Sequence, residues 1–324
     1  MELPNLRTSK GTTTTLDASR TLFRVRASTG ISDVLHALTM IQVSPVVGEG
    51  PTTAGQPMRM FVDVQRPAAV TAAASYDDSA GRAPPALVDT LNAKVRFELA
   101  RIGLQFPAAK IDSFATARNT AGNPEWQTYV AIASVLRTLD SQIATGTLQV
   151  NTAQQVVGLG TLAASNTFTA GAVAIEPNVR TLLSKVVPCG AGTGEGPHCL
   201  IGGPTVRRKL QATATGQNGL SGMKLDPRTN RILYHYMGLP YYQSTATPDS
   251  SNTAKLYAAN LGMTGLTLAH AYGTPETFGL QCDEQPLAGA TGLRQLIMHG
   301  AWALVLWENE GLAELTGIDV TTGT

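Results

Sequence analysis

Residues 123–146, NPEWQTYVAIASVLRTLDSQIATG, carry the clearest helix pattern in the sequence, and the other predicted elements are arranged around this helix. Asn123 is a favourable N-cap, and Pro124 fits the first helical turn because its missing N–H would have no helical partner there. Apolar residues then recur at three- and four-residue spacing, which predicts an amphipathic helix about 30 Å long. The members of this apolar stripe are Tyr129, Ile132, Ala133, Leu136, Leu139 and Ile143.

Polar residues and a glycine complete the helix pattern. Arg137, Asp140 and Gln142 are predicted to lie off the apolar stripe, and Gly146 is suited to the C-cap. We expect the stripe to face strands near residues 293–306. On this interpretation Leu136 supports folding, whereas changes at Arg137 or Asp140 would act, if at all, on assembly.

The composition narrows the class of protein. The chain has 324 residues, of which 43% are hydrophobic and only 15% charged, with a net charge of +1. This balance predicts weak non-specific attraction to nucleic acids and membranes. No apolar run reaches about 18 residues, so no membrane span is expected. Three cysteines are too few for a disulfide framework and fit a reducing cytoplasm.

Two alternating stretches, residues 58–64 and 94–102, predict strands with one half-buried face each. The simplest interpretation is a long antiparallel hairpin. The charged residues predicted to face one another across it are Arg59 and Asp63 on the first strand and Glu98 and Arg96 on the second. A two-stranded ribbon is marginally stable alone, so this one is expected to lie on a neighbour.

The remaining chain predicts a mixed α+β fold. Residues 30–42 read as a short helix that Ser32 can cap. Residues 199–201 predict a buried strand, residues 222–245 a hairpin followed by a further strand, and residues 293–307 the longest strand of the chain.

We find no pattern of residues that would carry catalysis. The glycine-rich loop at residues 190–196 lacks the Gly-Lys-Ser/Thr of a phosphate loop and is followed by a strand rather than a helix. His198, Cys199 and Cys189 do not complete a zinc-ligand spacing. The sequence therefore predicts no catalytic residue, no cofactor and no metal, and favours a structural assembly protein.

The order of the segments resembles a known family. LLSKVV, CLIGGPTVRRKL and DPRTNRILYHYMGLPYYQS follow the long helix, and LRQLIMHGAWALVLWENEGLAELTGI closes the chain. This order is similar to that of tailed-phage major capsid proteins with the HK97 fold, over about residues 25–320.

The resemblance implies a division of the chain into four parts. These are an N-terminal arm (1–25), an extended loop called the E-loop (51–108), a peripheral domain that contains the long helix (26–50, 109–149 and 271–308), and an axial domain (150–270 and 309–324). The residues predicted to make intersubunit contacts are Arg59, Asp63, Arg66, Tyr76, Arg82, Arg96 and Glu98.

The implied function is a major capsid protein that assembles as pentamers and hexamers into an icosahedral shell around phage double-stranded DNA. The implied partners are other copies of the chain, a separate scaffolding protein, a portal, a decoration protein and non-specifically packaged DNA, with no membrane. The expected location is the virion, after assembly in the host cytoplasm. Residues 51–93 contain no lysine, so the covalent cross-linking known in some relatives is not expected.

Two alternatives stay open. An encapsulin-like compartment shell has the same fold and would enclose a cargo protein instead of DNA. A soluble nucleotide-using enzyme would use the glycine loop at residues 190–196. Deleting residues 67–92 is expected to leave a folded subunit that cannot close a shell.

Overall fold

The structure of the protein is a computed structural model. It describes residues 32–47, 59–67, 92–108, 124–147, 155–170, 175–186, 197–214, 221–227, 229–250, 253–263, 265–286 and 294–320. The predicted arm at residues 1–25 and the glycine loop at residues 190–196 lie outside the described residues, as do Tyr76 and Arg82.

The described elements are short helices, one long helix and many strands. The α-helices are α1 (Asp33–Ala37), α2 (Pro124–Thr145), α3 (Leu159–Leu162), α4 (Ile175–Lys185) and α5 (Pro204–Ala214). The strands are β1 (Thr39–Gln42), β2 (Val46–Val47), β3 (Met60–Pro67), β4 (Asn92–Ala108), β5 (Thr167–Thr169), β6 (Cys199–Gly202), β7 (Ser221–Asp226), β8 (Arg231–Tyr236), β9 (Leu239–Gln243), β10 (Ala254–Ala259), β11 (Leu266–His270), β12 (Gln281–Pro286), β13 (Arg294–Leu306) and β14 (Leu312–Ile318). No described helix is both long and apolar enough to cross a membrane.

The first sheet is built around β13. Its order is β1-β11-β13-β4-β3-β2, and β12 also pairs with β13. One edge of β13 pairs with β4, while its other edge pairs with β12 towards the start of the strand and with β11 towards the end. Because β13 has partner strands on both edges, its backbone N–H and C=O groups are hydrogen-bonded along most of its length.

The predicted hairpin is confirmed and is longer than expected. β3 and β4 pair antiparallel from Met60↔Leu99 to Pro67↔Asn92. Met60, Val62 and Val64 are buried on one face, as their alternation predicts. β4 then continues into the main sheet, where Ala100 to Ala108 pair with β13.

The second sheet has the order β5-β14-β10-β6-β9-β8-β7. Its central strand β6 is buried at all four positions, as the apolar sequence Cys-Leu-Ile-Gly predicts. Helices α4 and α5 cover it, with Val179, Leu182, Val206 and Leu210 in a shared apolar core. The last strand of the chain, β14, returns to this sheet between β5 and β10.

Helix α2 packs its apolar stripe into the largest core. Ile132, Leu136 and Leu139 are fully buried in one cluster with Trp302 and Leu304 of β13. The predicted contact between the stripe and the strands near residues 293–306 is therefore confirmed. Arg137 is exposed, as expected.

Three expectations from the sequence are wrong. The helix predicted over residues 30–42 ends at Ala37, and Thr39–Gln42 forms β1, because this segment pairs in parallel with β11. β4, with 17 residues, is longer than β13, with 13. Asp140 does not lie on the surface, because only 8% of it is exposed to solvent. Its carboxylate is held by two serines, which a local pattern does not reveal.

Candidate assembly surface and buried polar contacts

The charged face of the β3–β4 ribbon is the surface that the sequence predicts for assembly. Asp63 and Arg96 lie opposite each other in the strand register. The guanidinium group of Arg96 donates two hydrogen bonds to the carboxylate of Asp63, from Nε over 2.8 Å and from a terminal nitrogen over 3.2 Å. It also lies 5.2 Å from the centre of the Phe61 ring. This paired, stacked arginine has a fixed orientation at the surface of the ribbon.

A second ion pair lies nearer the base of the ribbon. Arg59 Nε is 3.3 Å from Glu98 Oε1, and the Glu98 side chain is only 6% exposed. Burial raises the pKa of Glu98, and the positive charge of Arg59 opposes that rise. The two pairs confirm the predicted cross-strand facing of Arg59 and Asp63 with Glu98 and Arg96.

The other predicted contact residues are less defined. Arg66 belongs to β3, where its backbone lies opposite Ala93. Tyr76 and Arg82 lie outside the described residues altogether. A contact of any of the seven predicted residues with another subunit stays a prediction.

Sequence reasoning missed a buried polar cluster around Asp140. Ser32 Oγ donates to Asp140 Oδ1, and Ser244 Oγ donates to Asp140 Oδ2 over 3.3 Å. Ser32 also caps α1 by accepting from the Leu35 N–H over 3.3 Å. Burial raises the pKa of Asp140; the two serine hydrogen bonds oppose this, and the nearby charge of Asp33 adds to it. The cluster joins α1, α2 and the end of β9.

An ion pair adds a second link between α1 and the second sheet. Arg231, at the start of β8, donates to Asp33 Oδ1 over 2.7 Å. Burial raises the pKa of Asp33, partly offset by the charge of Arg231. Of the contacts in this cluster, the sequence predicted only the capping role of Ser32. The residues that make the other contacts are far apart along the chain.

His198, Cys199 and His299 make structural contacts, and Cys189 lies outside the described residues. His198 Nδ1 accepts the Leu261 N–H over 3.0 Å, and Cys199 Sγ donates to the Ala259 carbonyl over 3.5 Å inside the core. His299 Nε2 lies 2.8 Å from Asp283 Oδ2. Within the described ranges, no three His, Cys, Asp or Glu side chains gather as metal ligands would.

The architecture is the HK97-type fold of phage capsid and encapsulin shell proteins. Among solved structures, the chain is similar to the SrpI encapsulin of Synechococcus elongatus PCC 7942, with a TM-score of 0.62, 14% identity, and coverage of 99% of this chain and 98% of that one. It is also similar to the capsid chain of the native GTA particle, with a TM-score of 0.54, 12% identity, and coverage of 98% and 95%.

A third similar structure is the capsid of Myoviridae phage XM1, with a TM-score of 0.52, 10% identity, and coverage of 88% of this chain and 91% of that one. No family model matches the sequence, and no curated protein matches it. At such low identities the likeness establishes the fold and leaves the function to be argued.

Proposed function

We propose that this chain is the subunit of a closed icosahedral shell, assembled from pentamers and hexamers of the same chain. The observation that carries the proposal is the extent of the structural match, which spans 99% of this chain and 98% of an encapsulin chain. In an enzyme with the same fold, we would expect elements around the reactive site to be added or changed relative to a shell protein. The charged groups of the β3–β4 ribbon and of the Asp140 cluster instead lie in cross-strand ion pairs and structural hydrogen bonds.

The division into domains is part of this proposal. The arm (1–25), the extended loop (51–108), the peripheral domain and the axial domain take the borders inferred from the sequence, with one refinement. β11 pairs with β1 and β13 of the first sheet, so we place the change from axial to peripheral domain between β10 and β11. β14 stays with the axial domain because it pairs with β10 and β5.

The β3–β4 ribbon is proposed as the part of the extended loop that contacts a neighbouring subunit. Four of its charged residues, Arg59, Asp63, Arg96 and Glu98, are already paired within the chain. Paired charges lower the cost of covering the ribbon, because each ion keeps its counter-charge when water is removed. Arg66, Tyr76 and Arg82 complete the proposed contact set.

The first candidate for the contents is phage double-stranded DNA, with the shell located in the virion and assembled in the host cytoplasm. Its proposed partners are a separate scaffolding protein, a portal and a decoration protein. The near-neutral net charge of +1 fits a wall that tolerates DNA without binding specific sequences. The matches to the GTA particle and phage XM1 capsids support this candidate.

An encapsulin-like compartment is the second candidate. The SrpI encapsulin match supports it, with a TM-score of 0.62 against 0.54 for the GTA particle capsid. Both candidates require the same shell-forming subunit and differ in what the shell encloses.

Negative-stain microscopy of the purified chain tests the shell proposal, and closed particles of uniform size are the expected result. A small oligomer under all assembly conditions would refute it. Nuclease treatment of particles from the native source then separates the contents: protected DNA supports the phage shell, and a co-purifying protein without DNA supports the compartment.

The extended loop has its own test. Arg66 and Ala93 lie opposite each other, so residues 67–92 can be replaced by an Asn-Gly turn that closes β3 and β4 as a tight hairpin. We expect this variant to fold and to form no closed shells. Normal-sized particles from the variant would show that residues 67–92 are not needed for assembly.

A further inference from the structure

The β7–β8 hairpin carries an apolar patch that faces solvent. Met223 is 57% exposed, Leu225 61% and Ile232 67%. Large apolar side chains with so much exposed surface are unusual when they are contiguous, and such patches mark interaction sites.

The strand register makes these residues one surface. Leu225 lies directly opposite Ile232, and Met223 lies opposite Tyr234, so all four side chains point to the same face of the hairpin. Tyr234 is 4% exposed and belongs to the apolar core under α4 and α5. The patch therefore continues, on the solvent side, the apolar face to which the buried Tyr234 belongs.

The other face of the hairpin is anchored. Leu233 is 5% exposed and packs in the large core, and His235 is 8% exposed. Arg231 at the start of β8 is tied to Asp33 of α1 over 2.7 Å. Because one face is fixed in this way, the hairpin presents the bare face in a defined orientation and cannot fold it inward.

The patch also lies at the edge of a sheet. β7 is the last strand of the second sheet, and among the described strands it pairs with β8 alone. An exposed edge strand with apolar side chains is a template for association, and proteins cover or charge such edges unless they are used. On β7 the exposed positions Met223, Lys224 and Leu225 carry a single charge.

We propose that the Met223–Leu225–Ile232 patch is a contact surface for a second copy of this chain. The inference rests on the proposed shell function, in which every subunit is surrounded by copies of itself. The low charge of the chain favours the same partner, since a net charge of +1 gives little repulsion between copies. An apolar patch on a rigid edge hairpin then loses its exposed surface when the subunits assemble.

Substitutions at the exposed positions test the proposal without disturbing the core. The double variant Leu225→Lys/Ile232→Lys is expected to keep the wild-type circular dichroism and melting temperature and to sediment as unassembled subunits. The matched control is Met263→Lys, at a position that is 72% exposed in the connection between β10 and β11. The control is expected to assemble as wild type. A double variant that assembles with wild-type yield and size overturns the proposal.

Peroxide oxidation of Met223 gives a readout that does not depend on a substitution. In the assembled wild-type protein, Met223 is expected to oxidise at least about fivefold more slowly than in the chain unfolded in guanidinium, because the sulfur is covered. A smaller slowing means that the patch stays open in the assembly and overturns the proposal. The proposal is also overturned if Met223 is protected while the double variant assembles normally. In that case something other than a second copy of the chain covers the patch.

The two tests separate this proposal from the shell function. If the wild type forms a small oligomer, and the double variant is a monomer, the contact surface is supported and the shell is refuted. If both form closed shells, the shell is supported and the contact surface is refuted.

Discussion

Asp140, near the C-terminal end of helix α2, accepts a hydrogen bond over 3.3 Å from Ser244 Oγ at the end of β9. The same carboxylate accepts from Ser32 Oγ, which caps α1. One buried side chain therefore links the long helix to the second sheet and to the first described helix. Because Asp140 is 8% exposed, water cannot readily replace either serine.

Asp140→Ala should destabilise the folded subunit. The change leaves the hydroxyls of Ser32 and Ser244 without their acceptor, and unsatisfied buried groups cost about 1–3 kcal/mol. Urea denaturation of the unassembled subunit measures the loss. Arg137→Ala, three residues earlier on the exposed side of the same helix, should change the free energy of unfolding by less than about 0.5 kcal/mol. Equal effects of the two variants would contradict the bridging role of Asp140.

Asp140 should also give the stability a specific pH dependence. Burial raises its pKa in the folded state above the ordinary value of 3.8, so the folded protein binds the proton more tightly than the unfolded chain. The stability that the Asp140 carboxyl group contributes is then fully present below pH 3.8, and it is lost as the pH rises through the folded-state pKa. Asp140→Asn lacks this titration. The unfolding free energy of the wild type minus that of Asp140→Asn should therefore fall as the pH rises from about 3.5 to 7.

Urea titrations of both proteins at several pH values supply the measurement. Asp33 titrates nearby and is present in both proteins, so most of its contribution cancels in the difference. A difference that grows with pH would mean that the two serines, rather than burial, dominate the pKa of Asp140.

The sequence identified the long helix but misplaced Asp140, and the reason is physical. Ile132, Leu136, Leu139 and Ile143 follow helical spacing, so a local pattern was enough to predict their burial. Asp140 follows Leu136 by four residues and so lies beside the apolar stripe of α2. This spacing was the only signal in the sequence that Asp140 is buried. Its partners lie 108 and 104 residues away in the chain, and no local pattern reveals contacts at that separation.

The strands show the same division between local and long-range information. Alternation in residues 58–64 and 94–102 was sufficient to predict the β3–β4 hairpin and its facing charges. β1 was mistaken for the end of a helix because its strand state depends on parallel pairing with β11, more than 220 residues later. Such tertiary pairing overrides a weak local preference for helix.

The two ion pairs of the β3–β4 ribbon should differ in strength. Arg96→Met removes a pair whose arginine side chain is 51% exposed, and exposed pairs contribute little to stability because solvent screens them. Arg59→Met leaves the Glu98 carboxylate, with a side chain 6% exposed, without its counter-charge. We expect this variant to lose more stability, about 1–3 kcal/mol.

Thermal and urea unfolding of both variants as unassembled subunits tests whether Arg59→Met loses more stability than Arg96→Met. Methionine retains the apolar stem of arginine, so the comparison isolates the charge more closely than alanine would. A larger loss from Arg96→Met than from Arg59→Met would show that the stacking of Arg96 on Phe61 outweighs the burial of Glu98.

Gly300 in β13 should not tolerate a side chain. A Cβ at this position would overlap Cη2 and Cζ2 of Trp302 and come within 2.8 Å of the Gly279 carbonyl oxygen. The Trp302 ring is fully buried and its Nε1–H donates to the Phe278 carbonyl over 2.7 Å, so the ring has little freedom to move aside. Gly300→Ala should therefore lower the unfolding free energy by about 1–3 kcal/mol, as overpacking of a core does.

Gly222→Ala in β7 provides the control for Gly300→Ala, because a Cβ there meets nothing within 4 Å. This variant should be neutral or slightly more stable, since alanine restricts the unfolded chain more than glycine does. Near-ultraviolet circular dichroism, to which the packed Trp302 ring contributes together with the other aromatic side chains, should change in Gly300→Ala and stay unchanged in Gly222→Ala. Wild-type stability and spectrum in Gly300→Ala would mean that the Trp302 ring has another position available, and that the close packing of β13 around it is not required for the fold.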